Sequence, residues 1–183
     1  KVNETKLEGT VLRKTYLRNL IYTSGNHPLF GTADLSGATW SQMLDMSGIE
    51  LINTTLAGLY TNELGNCPYN LPSGWSCISS NSNANQPPFR LIGPNARFSD
   101  DPYLPPASWN KTVFPSSLSG INFRGNYFVD CSFIGTTNFT NTNLFGAHFE
   151  NCAPVEIIWN NTICPDGSNS DNNGQGGCIN HGM

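Results

Sequence analysis

The chain has 183 residues, enough for one domain around a continuous core. Apolar residues make up 38% and charged residues 12%; much of the remainder is Asn, Ser and Thr, with 18 Gly and 12 Pro, a balance that disfavours long helices. The net charge of −4 is thinly spread, which argues against nucleic acid as a partner and against a dense acidic surface, and no apolar run is long enough for membrane insertion.

The chain opens on Lys1 rather than Met, which a removed signal or transit segment would explain, as would a boundary within a longer protein. From Thr5 the residues fall into frames of five centred on Leu7, Leu12, Leu17 and Tyr22, with a small or apolar residue two positions before each centre. Residues 25–32 are expected to bulge as a short loop. The frames return at Leu35 and Trp40 and, after a one-residue slip, continue through Met46, Leu51 and Leu56.

A larger insertion is expected from about Asn62 to Pro115. Cys67 and Cys77 bracket a Pro/Gly-rich loop, and a polar stretch runs from Ser79 to Pro88. The repeat is expected to re-enter over Leu91–Phe98. The proline-rich segment Asp101–Trp109 reads as a second excursion on the outside, because proline cannot pair within a ladder. The clearest run follows, centred on Leu118, Phe123, Phe128 and Phe133 and then, after another slip, on Phe139, Leu144 and Phe149. The small positions before these centres are Ser116, Ile121, Asn126, Cys131, Thr137, Thr142 and Ala147. Asn126 departs from the rule and requires a buried partner or an outward turn.

A period of five fits neither a helix at 3.6 nor a strand at 2. It fits a chain that turns a corner in every frame, sending the centre and the small residue inward and the other three side chains to water. Four faces close a coil of about twenty residues, and stacked coils pair at roughly 4.8 Å. A β-sandwich of alternating strands is the competing architecture, but seven successive late frames with one slip are hard to obtain by alternation.

Ala33–Gly37 (ADLSG), Thr142–Gly146 (TNLFG) and Ala147–Asn151 (AHFEN) resemble the pentapeptide-repeat family, whose motif is approximately A(D/N)Lxx. The resemblance implies an all-β, right-handed quadrilateral β-helix with irregular loop insertions, here one domain over residues 1–183. It does not imply one function, since such proteins include topoisomerase-protecting DNA mimics, lumenal plastid proteins and many secreted proteins. The LPSGW…C…LIGPNA insert and the tail from Trp159 to Asp171 look like those of a secreted group within it. That tail, over residues 160–183, reads as a disulfide-closed cap on the last coil, which would otherwise expose unpaired backbone.

Six cysteines suggest an oxidising compartment. A disulfide across Cys67–Cys77 and another across Cys164–Cys178 would each limit a polar loop in the unfolded state, for roughly 2–3 kcal/mol. Reduced thiols or a zinc site are the alternatives, zinc being disfavoured by the lack of a CxxC pair and by the distance of His27 and His181 from most cysteines. Cys131 and Cys152 share the small inward position 21 residues apart, either as stacked thiols packing as hydrophobes or as a disulfide.

Chemistry is otherwise sparse. His148 precedes a centre and should face solvent, and no nucleophile elbow, phosphate loop or zinc-protease motif occurs, so no enzyme activity and no cofactor are expected. Asn169, Asp171 and Asn173 partly fit the start of a calcium loop, although a disulfide-held turn accounts for them as well. Sequons at Asn3, Asn53, Asn110, Asn138 and Asn160 are candidates for N-linked glycans, or chance products of an Asn- and Thr-rich chain. The expected function is a non-catalytic scaffold, secreted or in an oxidising lumen such as that of thylakoids. It would bind protein partners or itself through outer walls and coil ends, in the sharper form as an end-to-end filament or surface layer. An accessory subunit of a large lumenal or membrane-associated complex is one alternative. A DNA-mimicking topoisomerase inhibitor is another, disfavoured by thin charge and paired cysteines.

Overall fold

The computed structural model describes residues 9–14, 16–18, 30–41, 46–80, 88–98, 106–152, 156–174 and 177–183. The frame centred on Leu7, the Asn3 sequon, His27 and most of the 25–32 loop lie outside the described residues, as does the side chain of Leu17. Among the described residues the fold is an all-β solenoid of twelve short strands. In chain order these are β1 (Tyr16–Arg18), β2 (Thr39–Ser41), β3 (Tyr60–Asn62), β4 (Ser76–Ser79), β5 (Phe89–Ile92) and β6 (Ser108–Asn110). They continue with β7 (Val113–Phe114), β8 (Tyr127–Val129), β9 (Ser132–Phe133), β10 (Thr136–Asn138), β11 (His148–Glu150) and β12 (Glu156–Ile158).

The pairing is what a coil returning to the same face requires. Strands β1, β2 and β3 stack in parallel, as do β6, β8 and β11, with β7 on β9 and β10 on β12. Leu17 therefore stands over Trp40 and Trp40 over Thr61, while Trp109, Phe128 and Phe149 form one rung series. Isolated parallel bridges carry the other faces, Asp34 to Thr55 and Asn122 to Asn143 among them.

The corners explain the motif. In frame after frame the N–H of the next small residue donates to the carbonyl of the centre three positions earlier, as in Ala38 to Leu35, Leu59 to Leu56, Asn126 to Phe123 and Ala147 to Leu144. The two inward residues are thus the first and fourth positions of one turn. The third position has positive φ at Gly37, Gly58, Gly125, Gly146 and Asn141, as type II turns demand, which is why the motif so often ends in Gly or Asn. The residue before the centre closes the corner from outside: Asp34 Oδ1 accepts the Ser36 N–H, Asn122 Oδ1 that of Arg124 and Asn143 Oδ1 that of Phe145. The D/N of the motif is therefore a turn-forming acceptor.

The late run builds an aromatic core. Within a column the rings lie nearly parallel: Phe98 on Phe123, Trp109 on Phe128, Phe128 on Phe149, Phe114 on Phe133 and Phe139 on Trp159 all tilt by 19° or less. Across corners they meet edge to face, at 82° for Phe98 with Trp109 and 86° for Phe114 with Phe123. Offset stacks along one axis and T-shaped contacts across the other are the arrangements that the ring quadrupole favours. Leu35, Trp40, Met46, Leu51, Leu56, Leu118, Phe123, Phe128, Phe139 and Leu144 are buried; Leu12, Phe133 and Phe149 are partly buried.

Three expectations need correction. The departure from the coil is shorter than 62–115: β4 and β5 form an antiparallel hairpin, to which Leu91 and Ile92 belong, and the coil resumes at Ala96–Phe98. Trp109, read as part of an outside excursion, is fully buried in β6 because its proline neighbours stop short of the strand. Ser116, read as inward, is exposed, its carbonyl accepting the Asn138 N–H. The hairpin docks through Trp75, which packs against both halves of the core. A Cβ on Gly93 would lie 2.3 Å from the Trp75 ring, so only glycine lets the strand pass.

Candidate functional site: the C-terminal clasp and the paired thiols

The tail closes the Thr162–Cys164 side of the last coil, where the Ser170 N–H donates to the Thr162 carbonyl and the Cys164 N–H to that of Ser168. Cys164 and Cys178 are disulfide-bonded with their Cα atoms 5.2 Å apart, and Gly177 lies so close to Trp159 that a Cβ there would sit 2.0 Å from the indole. His181 Nδ1 is 2.7 Å from Asp166 Oδ2, and Ser168 Oγ donates to Asp166 Oδ1 at 2.7 Å. The Ser168 side-chain and backbone hydrogen bonds, with His181 adding to them, hold the Asp166 pKa down at about 2. Serine, histidine and aspartate together suggest a catalytic triad, but the geometry is different. Ser168 Oγ and Asp166 both face the same imidazole nitrogen, Nδ1, whereas a triad needs the hydroxyl on the nitrogen opposite the carboxylate. The group is a clasp.

Asn169, Asp171 and Asn173 are used in the same closure. Asn169 caps the 3-10 turn Ser170–Asn172 by accepting the Asp171 N–H. Asp171 Oδ1 accepts the Asn161 N–H, Asn169 Nδ2 donates to Asn161 Oδ1, and Asn173 Nδ2 donates to Ser168 Oγ. These atoms tie tail to coil. Asn161 in turn donates to Asn141 Oδ1, so one asparagine ladder runs down the corner from the tail into the solenoid. Beside it a groove of about 440 Å³ is lined by Ile157, Ile158, Trp159, Ser170 and Asp171 among others.

Cys131 and Cys152 lie in the small inward column above Thr112, free as thiols and one coil apart. The Cys131 backbone N–H donates to Cys152 Sγ at 2.8 Å, and Cys131 Sγ lies 3.3 Å from the Trp109 carbonyl. The hydrogen bond to Cys152, then burial, pushes the Cys131 thiol far up, while the hydrogen bond from Cys131 lowers that of Cys152. Cys67 and Cys77 are disulfide-bonded across the loop before the hairpin, with a Cα separation of 5.8 Å. Asn53, Asn110 and Asn160 are exposed, whereas Asn138 is half-buried with its side chain holding the Thr140 N–H; His148 is exposed beside Tyr127.

Two arginines that the five-residue pattern did not single out make long-range contacts. Arg97 lies along a corner, its Nε donating to the Gly58 carbonyl at 2.7 Å and its Nη2 to that of Gly37 at 3.0 Å. Arg90, buried in β5, stacks on Trp109 and donates to Asn62 Oδ1 and the Ser108 carbonyl, and burial lowers its pKa. Their only sequence signal was position: Arg97 occupies the D/N slot of its frame, and Arg90 interrupts an apolar run.

No protein-family model matches the chain, and no curated protein matches it. Among solved structures it is similar to HetL, a pentapeptide repeat protein involved in heterocyst differentiation regulation from the cyanobacterium Nostoc sp. strain PCC 7120. The identity is 18% over 90% of this chain, with a TM-score of 0.41, and the chain spans 64% of that protein's length. The chain's own five-residue register and stacked columns are those of a β-solenoid.

Proposed function

We propose that the chain is a non-catalytic scaffold, working outside the cell or in a comparable oxidising lumen, that assembles through its coil ends. The observation that carries this reading is the C-terminal rung. Among the described residues β11 and β12 are the outer strands of their sheets, and the columns they end carry partly buried Phe149 and Ile157. An open edge with apolar side chains behind it is a template for strand addition. Two disulfides are compatible with an oxidising compartment, and among the described residues no helix is long and apolar enough to cross a membrane. Glycans on exposed Asn53, Asn110 and Asn160 would shield the walls and leave the ends free. The wall bearing Tyr127, Val129, His148 and Glu150 has one acid on it, far from the acidic field of a DNA mimic.

Light scattering and negative-stain microscopy over a concentration series test the proposal. Particles are expected to lengthen with concentration, and Ile157→Lys, which places a charge at the last rung, is expected to shorten them. A monomer at every concentration overturns end-to-end assembly.

A further inference from the structure

We infer that Cys131 and Cys152 are a redox-addressable staple: a pair that a low-molecular-weight disulfide converts into a third, inter-coil disulfide inside the solenoid wall. They share a face and an inward register, in successive turns of a parallel coil. Neighbouring strands lie about 4.8 Å apart, within the usual Cα range for a disulfide. The contact is already made, since Cys152 Sγ accepts the Cys131 N–H at 2.8 Å. Closure therefore asks for side-chain rotation and little backbone movement.

The two thiols have different roles. Cys152 is partly exposed and its pKa is lowered, so it is the sulfur that meets the reagent. Its thiolate attacks one sulfur of glutathione disulfide, breaking that S–S bond, forming a Cys152–glutathione mixed disulfide and releasing one glutathione thiolate. Cys131 is buried, and its hydrogen bond and charge interaction with Cys152 keep it protonated. Capping Cys152 removes that charge. Cys131 then loses its proton to solvent and attacks Cys152 Sγ, expelling the second glutathione thiolate. Two protein thiols have lost two electrons and two protons, and one glutathione disulfide has become two glutathione molecules.

The product joins two coils that otherwise meet only through hydrogen bonds and packing, within the aromatic half of the core. Unlike the bonds at Cys67–Cys77 and Cys164–Cys178, which close loops outside the coil, it would resist separation of one rung from the next.

The test treats the full chain with glutathione disulfide and counts free thiols by alkylation and mass spectrometry, with peptide mapping and thermal melting. Two free thiols are expected to disappear together, a Cys131–Cys152 crosslinked peptide to appear, and the melting temperature to rise by roughly 5–10 °C. In Cys131→Ala the reaction is expected to stop at the mixed disulfide on Cys152, which distinguishes ordered attack from bulk oxidation. Cys131→Ser, closer in size, serves if the alanine variant loses its circular-dichroism spectrum. Both thiols remaining alkylatable overturns the proposal, as does a crosslink between molecules or a fall in melting temperature on oxidation.

Discussion

Trp109 donates its indole N–H to Asn126 Oδ1 at 3.0 Å, deep in the aromatic core, and Asn126 donates onward to the carbonyls of Phe98 and Arg124. A polar side chain at a position that the coils before and after fill with Ala107 and Ala147 is tolerated because the indole of the neighbouring column needs an acceptor there. Asn126→Leu leaves the indole N–H without its acceptor and takes a donor from the Phe98 and Arg124 carbonyls, the former still held by the Ala107 N–H, and is expected to cost about 1–3 kcal/mol in urea denaturation. Trp109→Phe removes the donor, so adding it to Asn126→Leu is expected to recover part of the loss. Strict additivity of the two changes would mean that the pair is not coupled.

The ring columns set a second expectation. Phe128 has Trp109 on one side and Phe149 on the other, the latter at a centroid distance of 4.5 Å, so Phe128→Ala should cost about 3–5 kcal/mol. Phe149→Ala, at the partly buried end of the same column, should cost less. Arg124→Ala loses only an exposed contact over Phe145 and should cost less than about 1 kcal/mol. Equal losses at Phe128 and Phe149 would contradict a column that ends at the C-terminal rung.

Acid should loosen two corners. The pKa of Asp34 is held at about 2 by hydrogen bonds from Ser36 and then from Arg13, and that of Asp166 at about 2 by Ser168 and His181, against 3.8 for each unperturbed. Their folded values are depressed, so the unfolded chain binds more protons as pH falls from about 4 to about 2. Their contribution to stability is complete above that window and lost across it. Melting temperatures measured from pH 5 to pH 2 should fall less steeply in an Asp34→Asn, Asp166→Asn double variant than in the parent, and an equally steep fall would remove both residues from the account.

Arg97 supplies a fourth test. Lysine keeps the charge but not the fork that reaches two carbonyls at once, so Arg97→Lys is expected to cost about 1–2 kcal/mol. The slope of the urea transition should also fall, because fewer coils would unfold in the same step. A variant with unchanged midpoint and slope would leave Arg97 without a structural role.

The solenoid was legible because its repeat is written in side-chain size. Leu35, Phe123, Leu144 and their like recur every five residues for one reason, and the reason is the same in each frame. The exceptions have other causes. Trp109 was obscured by prolines whose effect is local, and Ser116 shows that a small residue satisfies the pattern without being buried. The hairpin at Ser76–Ser79 and Phe89–Ile92 pairs antiparallel outside the five-residue coil, so a search for fives passes over it. In the C-terminal clasp the contacts join Asp166 to His181 and Asn161 to Asp171, pairs brought together by a returning tail rather than by any period.

In a stack of rungs each layer ordinarily feels only the layers beside it, so fraying at a terminus can advance one step at a time. The guanidinium of Arg97 reaches past its immediate neighbour, from the segment after the hairpin to two layers laid down before it. Such a brace is a ratchet against peeling: an end that begins to unravel toward the hairpin must release three layers together, so the place where the repeat is interrupted need not be the place where the molecule yields.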